Sequence, residues 1–272
     1  MTKRILILTD FSGGTWDAVC FAMKFLRNGK TTLNLLKTYQ KPEVRQSMIR
    51  DIIPLLKESS LNELKELRRK ILKKFKIPKR KVKSLSIEGN LVSLLQNQLN
   101  TNDIDSVVVG LHNSIPHTGF LIRRKISRII KCSSHPLFIL PYRFSDSEFQ
   151  NIVFVTNPYN QPSEKVLDKL RYLESKVGSG IHILFISQDD NHDIPKSIKS
   201  NIIEHFSGIK VTTDSLHNAS MNPDQNFLDM ASCNLVVIEK INYLRFRKNI
   251  TKHLSLTLDC RIGHPVLLIV TK

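Results

Sequence analysis

Cysteine is scarce and scattered in this sequence: Cys20, Cys132, Cys233 and Cys260 are its only four, and no two form a Cys-x-x-Cys pair. That spacing excludes a zinc ribbon and a disulfide framework, and buried free thiols are the expectation. Long apolar runs are missing too. None reaches the ~18 residues that a bilayer-spanning helix needs, and Ile5 to Leu8 is too short for the core of a signal peptide. A cytoplasmic protein without membrane contact is expected. No Ser/His/Asp set, paired carboxylates or Cys/His pair stands at a spacing that implies chemistry. His112 and His117 share a loop, but a metal site needs a third ligand. The reading is a protein that is not an enzyme and holds no metal.

Acidic residues are short in one half only. Residues 1–144 carry 27 Lys+Arg against 10 Asp+Glu and the remainder 14 against 14, so the net charge of +17 belongs wholly to the first half. Its densest part is Arg68 to Lys83, ten basic residues in sixteen. Candidate polyanion contacts there are Arg68, Arg69, Lys73, Lys76, Lys79 and Arg80. The alternative is a solvated helix end, where basic residues suit the dipole. Phe75 is the only aromatic in the run, so stacking on single-stranded bases is not expected.

What the chain has in quantity is strand and helix in alternation, arranged twice. A length of 272 residues suggests about two domains. Ser106 to Val109 forms an apolar run ending at Gly110, followed by a loop, a short basic helix and the run Leu137 to Leu140 entered through His135-Pro136. The pattern returns as Leu235 to Ile238 and as Val266 to Val270, entered through His264-Pro265. Apolar runs without alternation suit parallel strands covered on both faces.

The other first-half strands are Ile5 to Leu8, Leu33 to Tyr39 and Val82 to Ile87. Its helices follow a Ser12 or Thr15 cap, with Ala18, Val19, Ala22, Phe25 and Leu26 on one face, and run from Pro54 to Phe75 and Leu91 to Leu99. The second half gives strands Ile152 to Val155, Ile181 to Ile186 and Ile209 to Thr213, and helices Glu164 to Lys176, Lys196 to Phe206 and Asn226 to Ala231. Ile5 to Asp10 lies on Ile152 to Asn157 with the helix positions in phase. The class is α/β, with two Rossmann-like, doubly wound domains over 1–144 and 149–272. The polar linker, Arg143 to Phe149, is short enough to favour closely packed units.

A first strand ending Thr9-Asp10-Phe11-Ser12, a fourth ending Gly110-Leu111-His112 and a last entered through His-Pro resemble the universal stress proteins in their tandem two-domain form. The resemblance implies a five-stranded parallel sheet between helices in each half, an adenine nucleotide alpha hydrolase-like fold. It also implies a stress-response or regulatory role and self-association, as a homodimer or as a pseudo-dimer of the two halves through the closing strands Leu137 to Leu140 and Val266 to Val270. Many members bind ATP at the carboxyl edge of the sheet, so ATP or AMP is the implied ligand.

The family motif is Gly, two residues, Gly, nine residues, then Gly with Ser or Thr, because backbone amides must approach the phosphates. Laid on this chain it falls on Gly110, Asn113, Arg123 and Arg124, and only the first matches. With Asp10, Thr38 and His112 these are the candidate nucleotide residues. Arg123-Arg124-Lys125 is a solvated basic face, a guanidinium substitute for the phosphate amides or a contact to a partner protein. In the second copy the motif starts at Ile238, continues at Ile241 and ends near Thr251, Lys252 and His253, while Asn157 replaces Asp10. The reading is an eroded site in the first half and none in the second. Two alternatives stand beside it: an ATP-binding switch in the first half, and an ATP-pyrophosphatase-type enzyme. Ser12-Gly13-Gly14-Thr15-Trp16-Asp17 resembles the loop of the latter, with the Asp one residue late.

Overall fold

The computed structural model describes residues 3–10, 13–27, 29–40, 52–91, 93–94, 104–111, 127–140, 152–187, 195–216, 235–244 and 266–270. The chain divides into two compact units, Met1–Ser145 and Asp146–Lys272.

The first unit runs β1 (Arg4–Leu8), α1 (Gly13–Phe21), β2 (Thr32–Tyr39), α2 (Ile52–Phe75), β3 (Val82–Glu88), β4 (Ser106–Gly110) and β5 (Leu137–Leu140). Its strands lie in the order β3-β2-β1-β4-β5 and the pairs are parallel. Four of β1's five residues, four of β4's five and all of β5 are buried, as unalternated apolar runs require. β3 pairs on one side only and is half exposed, matching its alternation. Ser60 on α2 bonds Ser86 on β3 at 2.7 Å, and Lys37 on β2 meets Glu63 on α2 at 2.7 Å, so the long helix is fixed across both strands. Lys37 holds the Glu63 carboxyl below its ordinary value.

The second unit repeats the layout with β6 (Ile152–Thr156), α3 (Glu164–Val177), β7 (Ile181–Ile186), α4 (Lys196–His205), β8 (Val211–Leu216), β9 (Leu235–Glu239) and β10 (Val266–Val270). The order is β10-β9-β6-β7-β8, again with parallel pairs. Val166, Leu167, Leu170 and Leu173 form the buried stripe of α3, and Gly178 closes it at φ 71°, the left-handed position that glycine takes without a Cβ penalty.

Three expectations need correction. The helix after β1 does not stay α: Ala22–Leu26 is a π turn, in which Ala22, Met23 and Leu26 are buried while Phe25 is left half-buried. Strand β8 starts two residues later than expected. Ile209 is used by a turn through Gly208 (φ 83°) that bonds it to the Phe206 carbonyl, and the strand then extends to Leu216 along β7. Cys20 and Cys132 form no disulfide among the described residues, but both are half-buried rather than buried. The expected helix Asn226 to Ala231 and the linker Arg143 to Phe149 lie outside the described residues, as do Cys233 and Cys260.

Candidate functional site

In a sheet of order β3-β2-β1-β4-β5 the order in which strands are added reverses between β1 and β4, and the crevice beyond their carboxyl ends is where such folds place ligands. Three sequence-predicted residues meet at that edge. Leu8 pairs with Leu36 on one side and Val109 on the other. Continuing the register puts Asp10 level with Thr38, and Gly110 one step below. Asp10 is exposed and Thr38 half-buried. His112, Asn113, Arg123 and Arg124 lie outside the described residues, as does His117.

Asp10 is held from α1. The Asp10 backbone N–H donates to the Thr15 hydroxyl at 3.2 Å, and that hydroxyl donates to Asp10 Oδ1 at 2.9 Å. Thr15 thus sits inside the first turn, reaching back from the helix rather than capping it from outside. Gly14 lies on the same turn, and a Cβ there would fall on the Leu111 carbonyl, with Gly110 C only 2.8 Å away. The converse also holds: a Cβ on Gly110 would fall on the Gly14 carbonyl. The two glycines let α1 press its backbone against the end of β4. Gly110 therefore has a packing duty independent of any phosphate.

The second unit answers at the same level with side chains. Since Val155 pairs with Ile238 as Leu8 pairs with Val109, the residue standing where Gly110 does is Glu239, one position beyond the Ile238 that sequence spacing selects. Glu239 is 1% exposed and accepts a bond from Asn242 Nδ2 at 3.0 Å. Asn157, replacing Asp10, is buried, and its Oδ1 accepts the Tyr159 N–H at 2.8 Å. The Tyr159 hydroxyl reaches the Ser187 hydroxyl at 3.2 Å.

Comparison with known proteins now decides the family. A model of the universal stress protein family matches residues 1–141, more than half the chain. The chain belongs to the universal stress protein family. Among solved structures, a universal stress protein from Archaeoglobus fulgidus superposes with a TM-score of 0.72 at 14% identity, covering 99% of this chain and 96% of its own. Two Pseudomonas aeruginosa proteins give 0.57 and 0.55 at 12% and 11% identity, each covering 99% of this chain and 93% and 92% of theirs. At such identities the likeness is one of fold. No curated protein matches.

This universal stress protein carries its basic run on the last turns of α2, a short 3-10 turn (Lys79–Lys81) and β3. Arg68 differs from its neighbours: half-buried, it donates to the Lys79 carbonyl at 2.8 Å and ties the 3-10 turn to α2. Lys81 donates to the Gly29 carbonyl at 3.3 Å. Lys70 and Lys74 lie over the Trp16 ring at 3.9 and 5.1 Å. Arg69, Lys73, Lys76, Lys79, Arg80 and Lys83 are exposed. Among the described residues no group of three His, Cys, Asp or Glu could hold a metal, and no helix is long and apolar enough to cross a membrane.

Sequence reasoning missed Gly14, Thr15 as a holder of Asp10, Glu239 and Asn242. The signal available for the first two was two glycines and a threonine directly after a strand end that itself closes on glycine. For Glu239 it was the strand register, which apolar spacing leaves uncertain by one residue.

Proposed function

We propose that this universal stress protein is a non-enzymatic stress-response or regulatory module, with a weakened adenine-nucleotide edge in its first unit and none in its second. The observation that carries the proposal is the burial of Asn157, Glu239 and Asn242 at the edge of the second unit, at the level where the first unit has Asp10 and Gly110. Filling that level with hydrogen-bonded side chains leaves no bare backbone for a phosphate. In the first unit, Arg123 and Arg124 stand in sequence where the family motif has glycine and a hydroxyl.

A second reading, an ATP-binding switch in the first unit, is favoured by the convergence of Asp10, Thr38 and Gly110 on one edge. The pyrophosphatase reading has less support, because Gly14 and Thr15 of its loop are already engaged with Leu111 and Asp10. Self-association, as a homodimer or as a pseudo-dimer of the two units, belongs to the proposal on the strength of the resemblance and, for the pseudo-dimer, of the short linker. A cytoplasmic location belongs to it too, as the sequence pattern led us to expect.

Calorimetric titration of the full chain with Mg-ATP and with AMP tests the proposal, and we expect heats too weak to fit. A low-micromolar Kd that Asp10→Asn weakens at least tenfold establishes the switch instead. Asparagine is the right probe because it can still accept the Thr15 bond while removing the charge.

A further inference from the structure

On the edge of the first sheet opposite Asp10 lies a cavity of ≈ 200 Å³, with Met23, Leu33 and Ile77 in its lining beside Thr31, and Arg27, Arg80 and Lys81 around them. Thr31 precedes β2 and Lys81 precedes β3, so this is the amino edge. Among the described residues no acidic one lines it. At about 30 Å³ of liquid volume per water, it has room for a phosphate with several waters. Two of the cations around it have no structural duty: Arg27 and Arg80 are exposed, and neither pairs with any described residue.

The cavity is continuous with the basic run. The Arg68 bond to the Lys79 carbonyl fixes the 3-10 turn to α2, and the Lys81 bond to the Gly29 carbonyl fixes it to the segment before β2. Beyond this brace, Arg69 and Lys73 follow at i and i+4 on one face of α2, about 6 Å of helix rise apart, and Lys76 stands just past the helix end. They too are exposed and pair with no described residue.

We propose that this surface binds the phosphodiester backbone of nucleic acid, one phosphate seating among Arg27, Arg80 and Lys81 and its neighbours meeting Lys79, Lys76, Lys73 and Arg69. A single small anion uses only the cavity, whereas the free cations extend well past it. The apolar residues of the cavity are recessed, and none of the exposed large hydrophobic residues among those described, which a protein hot spot or a membrane-surface helix would offer, falls within Arg68 to Lys83. Arg68 is a brace rather than a contact. With no element placed to read base edges, binding is indifferent to sequence.

Fluorescence anisotropy of the full chain with a labelled 24-base-pair random-sequence DNA duplex tests the proposal between ~50 and ~200 mM salt. Five neutralised phosphates give a log–log salt slope near −4.5, which is about a 500-fold loss of affinity across that range. Arg27→Gln with Arg80→Gln, which share one phosphate, should flatten the slope by about 0.9, and separately Arg69→Gln with Lys73→Gln by about 1.8, each with the melting temperature unchanged. Lys165→Gln with Lys199→Gln in the second unit should leave it unaltered. Absence of binding at ~50 mM salt overturns the proposal. It is equally overturned by a slope that neither first-unit pair moves, or by tighter binding to phosphatidylserine vesicles than to the duplex.

Discussion

Gly13 and Gly14 are adjacent, open the same helix, and should respond in opposite ways to one added methyl group. A Cβ at Gly13 meets nothing within 4 Å, whereas one at Gly14 lands on the backbone of Gly110 and Leu111. Backbone cannot swing aside as a side chain can. To bring the Gly14 Cβ beyond 3.0 Å of every atom, α1 would have to retreat from β4 by on the order of 1 Å, opening the packing around buried Ala18 and Val19. Such overpacking costs about 3 kcal/mol, the upper part of the usual range. For a unit of this size that lowers Tm by roughly 6–12 °C. Gly110→Ala should cost as much, because its Cβ falls on the Gly14 carbonyl. Gly13→Ala should leave Tm unchanged or raise it by about 1–3 °C, since alanine gives up less backbone entropy in a helix. The assay is thermal unfolding followed by circular dichroism, with urea unfolding for ΔG. If Gly14→Ala or Gly110→Ala melts within ~2 °C of the parent protein, the two glycines are not there for packing. A ligand role for Gly110 then becomes the better account.

Other outcomes are also expected. Lys76 has φ 47°, left-handed backbone that a residue with a Cβ adopts at a cost; Lys76→Gly should raise stability by about 0.5–1 kcal/mol in urea unfolding, and a loss would argue against that conformation. Glu63 has its carboxyl lowered from 4.5, first by the Lys37 bond and also by Ser59. A lowered folded value means a contribution that is present above pH 4.5 and lost as the pH falls through the folded value. Because the pair is partly exposed, Glu63→Gln should cost no more than about 1 kcal/mol at pH 7 and nothing measurable near pH 2. A cost that does not change with pH would mean that packing, not charge, fixes Lys37 to α2.

Most of the fold was legible because its strands are buried on both faces. Such strands appear as short apolar runs with little else to confuse them, as in Ile5 to Leu8 or Ile181 to Ile186. Legibility failed where geometry depends on a partner. The π turn at Ala22–Leu26 leaves the apolar composition of the segment intact and only changes its phase. Strand β8 was misplaced because a turn after α4 claimed Ile209, an apolar residue with good strand propensity. At the site, the edge position of Asp10, Thr38 and Gly110 followed from strand order. The partnership of Gly14 with Gly110 did not, being a contact between residues 96 apart in sequence. The basic run was plain, yet the separation of Arg68 and Lys81, which brace the turn, from Arg69, Lys73 and Arg80, which are free, needed the hydrogen bonds.

The glycine pair also changes what a surviving motif residue can mean. A residue reports on a ligand only to the extent that the fold does not already require it. Gly110 is required by Gly14, so its presence would follow even in a chain that binds nothing. Asp10 is partly required as well, since Thr15 bonds both its amide and its carboxylate, though an uncharged asparagine would serve the second bond equally. The second unit is consistent with this: Asn157 stands in the place of Asp10, turned to a local backbone bond, and Glu239 occupies the place of Gly110 once no glycine-bearing helix turn presses on it. Neither of the Thr15 bonds requires the negative charge at Asp10, which is exposed at the carboxyl edge. Substituting that charge alone, and not the glycines, separates a retained nucleotide site from retained packing.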